Sequence, residues 1–221
     1  MAMCGRFNTL DTQELRELLQ RLGVQALPEF RRDICPGQYA HFVIERNGER
    51  QLLNGMWSLL IEPRPSGVGF RPKPKYSTLN ARSDNLMTLK SWRERYPRQR
   101  AIVPATAFHE WRDGQCYAIT QPGAVAFGSL YELWPYGEQL VPAFSIITVP
   151  PHPKLSHIHE KSLPLLLEPG DFDTWLSPEF SHVDDFADLL QPRLRRPLLV
   201  TPVDSPKGLN PVGETEFIAA D

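Results

Sequence analysis

A chain of 221 residues, 41% hydrophobic and 23% charged, has the make-up of a globular protein large enough to bury its own core. No apolar run approaches the ~18 to 20 residues of a membrane span, and the start lacks the basic-then-apolar pattern of a secretory signal, so membrane and secreted classes are not expected. The net charge of −2 hides a split: between Arg64 and Arg100 stand ten Lys or Arg against Asp84 and Glu94, and the rest of the chain carries −10.

That basic block is able to hold phosphates, or is simply a solvated face; charge alone leaves both open. Three cysteines without CxxC spacing suit a reducing cytoplasm. Proline, at 22 residues, points to short elements joined by ordered loops.

In chain order, Asp11 with Glu14 resembles a capping box, and Leu15, Leu18, Leu19 and Leu22 follow at helical spacing until Gly23, which predicts a helix over 11–22. Strand-like runs at 41–46 and 51–57 flank Asn47-Gly48, a pair suited to a tight hairpin. A second hairpin is predicted from a strand over 101–111, a turn at Asp113-Gly114 and a strand over 116–120.

Strands are further predicted at 124–134, 144–149, 163–167 and 196–203, and short helices near 84–92, 171–176 and 182–190. The sum is a mixed α+β fold, mainly antiparallel, expected to form one domain over 1–221 and to act as a monomer.

Nucleotide-binding and hydrolase motifs are missing: there is no GxGxxG after a strand, no GxxxxGK[ST], no HExxH and no GxSxG. What stands out is Met3-Cys4-Gly5-Arg6-Phe7. Met1-Ala2 reads as an addition ahead of a native start at Met3, and removal of Met3 would leave Cys4 as a terminal 1,2-aminothiol.

The α-amine of such a residue titrates near about 8, so part of it is neutral and nucleophilic around neutral pH. It attacks an aldehyde to give an imine, and the neighbouring thiol closes on that imine as a five-membered thiazolidine. The plain reading of Cys4 is a small hydrophobe.

The ordered set Cys4-Gly5-Arg6-Phe7, Pro36-Gly37, Leu79-Asn80-Ala81-Arg82, Phe108-His109-Glu110-Trp111 and Ile158-His159 resembles the SRAP (SOS response-associated peptidase) family, the abasic-site processing proteins, across nearly the whole chain. The resemblance implies a barrel-like β core with flanking short helices. It also implies that Cys4 bonds covalently to the aldehyde of an abasic site in single-stranded DNA, in a cytoplasmic or nucleoid setting.

By the same resemblance Asn80 would hold the Cys4 amine and the sugar, Glu110 would orient groups and exchange protons, and His159 would act as general acid or base on the sugar. Arg6 and Arg82 would bind phosphates, with the Arg93–Arg100 cluster extending the track. Pro36 and Trp57 match positions near the DNA. Trp111 and Trp134 lie in strands and are read as core or platform alike.

The plain readings are that Asn80 caps a following helix, that Glu110 is a surface residue at a strand end, and that His157 rather than His159 is the functional histidine. Ser162 stands where the family commonly has an arginine, and Arg64 follows Pro63 where a tryptophan is often found. No cofactor or metal is called for. Alternatives are a cysteine peptidase using Cys4, Glu110 and His159, a plain DNA-binding module, and a zinc site of His152, His157 and His159.

Overall fold

A computed structural model describes residues 5–221, so Cys4 and the question of the preceding residues lie outside the described part. Strand β1 (Arg6–Thr9) leads into helix α1 (Gln13–Arg21) and strand β2 (Arg31–Ile34). Strands β3 (Tyr39–Arg46) and β4 (Glu49–Trp57) form the first hairpin, with Asn47 and Gly48 both at positive φ as the pair of residues requires.

Short β5 (Ile61–Pro63), β6 (Phe70–Pro72) and β7 (Asn80–Arg82) follow, then α2 (Lys90–Arg93). The next strands are β8 (Arg100–Ala105), β9 (Ala107–Arg112), β10 (Gln115–Thr120), β11 (Val125–Tyr136) and β12 (Gln139–Val149). The chain ends through β13 (Leu163–Pro164), α3 (Phe172–Leu176), β14 (Leu198–Val203) and β15 (Glu216–Ile218).

Five strands close a barrel: β11, β8, β3, β4 and β12 pair in that order and β12 returns to β11. All of these contacts are antiparallel except β4 with β12. That parallel crossing is tight, since a Cβ on Gly55 would stand 2.6 Å from the Phe42 ring and 2.7 Å from the Pro142 carbonyl oxygen, which only glycine tolerates.

A second, antiparallel sheet runs β15-β14-β10-β9-β1-β2. The fold is thus α+β, mainly antiparallel, with a barrel core and few short helices. Phe7 and Phe108 of the sheet meet Phe127 of the barrel, with ring centroids at 5.7 and 6.0 Å, so one apolar core joins the two. Among the described residues no helix is long and apolar enough to cross a membrane.

Four expectations change. Helix α1 is capped by Thr12, whose hydroxyl accepts from the Leu15 N–H at 3.2 Å, while Asp11 pairs with Arg16 instead. The expected strand 101–111 breaks at Thr106, where the chain passes from barrel to sheet; the Thr106 N–H donates to the Asn8 carbonyl at 2.9 Å and its hydroxyl to Asn8 Oδ1 at 2.5 Å. A continuous apolar run does not reveal that hand-over.

The run 163–167 keeps only Leu163–Pro164 in the β13 ladder, although the Leu165 and Leu167 N–H groups still donate to Ile147 and Ala126. The regions 84–92 and 182–190 hold single turns, Ser83–Asn85, Lys90–Arg93 and Val183–Phe186, rather than full helices.

Candidate functional site

Strand β1 lies antiparallel to β9, with Arg6 opposite His109, so the chain enters β1 beside the end of β9 that carries Glu110. Glu110 is 4% exposed, which excludes the plain reading of a surface carboxylate. His159 reaches it from the segment between β12 and β13, placing Nδ1 3.1 Å from Glu110 Oε2. His157 instead pairs with Glu216 at 2.7 Å on the surface, so of the two histidines only His159 joins Glu110.

Burial lowers the His159 pKa from its ordinary value; Lys161 acts in the same direction and Glu160 against it. A neutral imidazole donating from Nδ1 to a carboxylate keeps its lone pair on Nε2, and that nitrogen is buried with no hydrogen-bond partner among the described residues. Such an arrangement can serve as an oriented base, since a carboxylate at Nδ1 fixes the ring and would stabilise the imidazolium formed on taking a proton.

Asn80 opens β7, which runs parallel to β12 with Asn80 opposite Ile146 and Arg82 opposite Thr148. The turn after it is capped from Arg82 with no side-chain bond, so Asn80 is not a helix cap. Trp57 sits behind this strand: it is fully buried, stacks with Phe144 at 6.4 Å and donates its indole N–H to the Leu79 carbonyl at 2.9 Å. The expectation that Trp57 binds DNA directly is therefore corrected, because the ring is fully buried and its N–H is spent on the Leu79 carbonyl.

Arg82 is exposed and pairs with Asp84 at 2.6 Å. It lines a cleft of about 60 Å³ with Thr148, Lys161 and Ser162, where the Thr148 and Ser162 hydroxyls are buried with no partner among the described residues. Ser162 thus leaves hydroxyl acceptor and donor capacity, with Lys161 beside it, where the resemblance called for arginine.

Arg6 is tied to Asp33, at 2.6 and 2.8 Å from its two oxygens, so much of its charge is already met. Pro36 stands half-buried in a turn whose Gly37, at φ 79°, donates to the Trp57 carbonyl at 2.8 Å. The Arg93–Arg100 track is shorter than expected. Arg100 is 2% exposed and donates to five main-chain carbonyls, of Tyr96, Pro97, Trp175, Ser177 and Phe180, and Arg95 pairs with Glu132 at 2.9 Å.

Trp111 is 40% exposed at the end of β9, whereas Trp134 is partly covered and donates to the Leu59 carbonyl. His152, His157 and His159 are held by Asp221, Glu216 and Glu110 respectively, and among the described residues no three His, Cys, Asp or Glu side chains gather as metal ligands. His109, fully buried on β9 with neither ring nitrogen partnered among the described residues, had no signal in the spacing.

The family model for SOS response associated peptidase (SRAP) matches residues 3–207. The chain belongs to the SRAP family. Among SRAP relatives it is 29% identical over 206 residues to the abasic site processing protein YoqW of Bacillus subtilis (strain 168), covering 86% of this chain and 87% of that one. The abasic site processing protein YobE of the same organism is 28% identical over 205 residues, covering 86% and 89%.

Crystal structures of proteins from Bordetella bronchiseptica and Bacteroides thetaiotaomicron share the SRAP-type fold. Their TM-scores are 0.71 and 0.70 at 20% identity, covering 91% and 90% of this chain and 100% and 95% of those.

Proposed function

We propose that this chain captures abasic sites in single-stranded DNA through a covalent bond to Cys4, once removal of the preceding residues makes Cys4 the terminus. The observation that carries this reading is the buried Glu110–His159 pair at the end of β9, beside the point where the chain enters β1. Family membership and relatives named for abasic site processing point the same way.

The chemistry balances with one water released. His159 Nε2 takes the proton of the sugar's C1′ hydroxyl as the C1′–O4′ bond breaks and returns that proton to O4′, which opens the ring to the aldehyde with no net proton change. The imidazolium so formed faces the Glu110 carboxylate.

The Cys4 amine then adds to C1′, and the Glu110 carboxylate relays the two amine protons in turn from nitrogen to the former carbonyl oxygen, which leaves as water as the imine forms. Finally Sγ bonds C1′ and its proton passes to the nitrogen, giving the thiazolidine. Asn80 holds the amine and sugar, and Arg82, with the hydroxyls of Thr148 and Ser162 and the Lys161 ammonium, receives a flanking phosphate. The protein acts as a single-domain monomer in the cytoplasm, needs no cofactor or metal, and meets DNA also through Arg6 and Pro36.

The test mixes protein bearing Cys4 at its terminus with single-stranded DNA holding one abasic site and looks for a band that survives denaturing electrophoresis. A resistant band lost in Cys4→Ala and in the form that retains Met1 supports capture. No band from the exposed-Cys4 protein rejects it, and turnover of peptides without DNA would favour a peptidase using the same residues.

A further inference from the structure

The segment that carries His159 is clamped by residues beyond the family match, which ends at residue 207. After β12, His152 is 6% exposed and uses both ring nitrogens: Nδ1 accepts from the Lys154 N–H at 3.2 Å and Nε2 meets Asp221 Oδ2 at 3.0 Å. The turn Pro153–Leu155 follows, and the His159 N–H donates to the Leu155 carbonyl at 2.8 Å, so His159 stands one turn beyond this anchor.

The C-terminal chain crosses the outer side of that turn. Lys154 Nζ donates to the Ala219 and Ala220 carbonyls at 3.0 Å and sits 2.9 Å from Asp221 Oδ1, while Glu216 meets His157 at 2.7 Å. Asp221 is itself held, accepting from and donating to the main chain of Leu194 at 2.9 Å. Pairing of β15 with β14 and burial of Ile218 fix the start of this crossing.

On the inner side, β9 supplies Glu110 to His159 and Arg112 to Glu160 at 3.2 Å. The His159 segment is thus gripped between the strand that bears its partner and the C-terminal chain that crosses it.

We propose that residues 216–221 are a positioning strap for His159, fixing His152, Lys154 and His157 so that the imidazole meets Glu110 at the angle proton transfer needs. The idea rests on the role given to His159 above. A sub-ångström to 1 Å misplacement of a proton-transfer group slows the step without weakening DNA binding.

The experiment compares Asp221→Ala, Lys154→Ala and Lys154→Arg with the parent protein bearing terminal Cys4. It measures the maximal rate of adduct formation and the half-saturating concentration of abasic single-stranded DNA, and follows the His159 ring by NMR titration. Both alanine variants are expected to lose about tenfold in maximal rate with half-saturation unchanged. Lys154→Arg, which keeps donors for the two carbonyls, is expected to recover most of it.

In Asp221→Ala the His159 midpoint is expected to move up toward the ordinary histidine value as water reaches the loosened ring. An unchanged maximal rate in both alanine variants, or an unmoved His159 midpoint in Asp221→Ala, overturns the strap. If the parent protein forms no adduct, it is the capture reading that fails, and the NMR comparison alone decides the strap.

Discussion

The barrel and the segment 150–162 are neighbours held by different forces. Barrel strands bury Phe42, Val43, Ile102, Phe127, Phe144 and Ile146 completely and share continuous ladders, so removal of apolar area from water dominates. The 150–162 segment has few apolar anchors, chiefly Leu155 and Ile158, and owes its path to polar contacts from β9 and from the C-terminal chain. A closed apolar frame can thus carry a candidate site whose histidine hangs on a segment held by a handful of polar bonds.

Deep substitution in the frame should have the largest effect and be blind to chemistry. Phe127→Ala, which removes a ring packed on Phe7 and Phe108, is expected to cost about 3 to 5 kcal/mol in urea unfolding. The fraction that stays folded should form adduct at the parent rate; a rate loss beyond the loss of folded protein would break the division between frame and site.

Acid should come next. Burial lowers His109 to about 4 against an ordinary 6.5, so between these values the unfolded chain binds the proton that the folded chain refuses. Stability is therefore full above pH 6.5 and falls as pH drops toward 4, by up to about 3 kcal/mol. Urea midpoints at pH 7 and pH 5 measure this, and His109→Phe should flatten the difference; an equal slope in that variant would place the acid sensitivity elsewhere.

The smallest effect concerns the divided basic block. Arg82→Ala should leave stability within about 0.5 kcal/mol and reduce the salt dependence of single-stranded DNA binding by about 0.7 in logarithmic slope, one phosphate contact. Arg95→Ala should leave that slope unchanged, because Arg95 is spent on Glu132. Equal slopes for both variants would show that burial does not sort the block.

What the sequence made legible follows the same line. Hairpins at Asn47-Gly48 and Asp113-Gly114 were readable because positive φ demands such residues, and long strands because their apolar runs exceed what a loop carries. Short strands such as β2, β5, β6, β7 and β15 were not, since charged, proline-bearing edges become strands only through their partners.

Glu110 and His159 were legible through resemblance, and their meeting at 3.1 Å is a tertiary fact that no spacing encodes. Trp57 was matched by the resemblance to a position near the DNA, and a match in sequence does not show whether an aromatic faces solvent or, as here, is buried against Leu79. The strap was invisible because Asp221 and Lys154 are 67 positions apart and acquire meaning only across the fold.

The most direct test of capture by Cys4 is the intact mass of the product formed with an abasic oligonucleotide, followed by mapping of the modified residue. The account predicts protein beginning at Cys4 plus DNA less one water, with the bond on Cys4, and a strongly reduced yield in Glu110→Gln and His159→Asn. A product mapped to a lysine, or the same yield from Cys4→Ala, would contradict it.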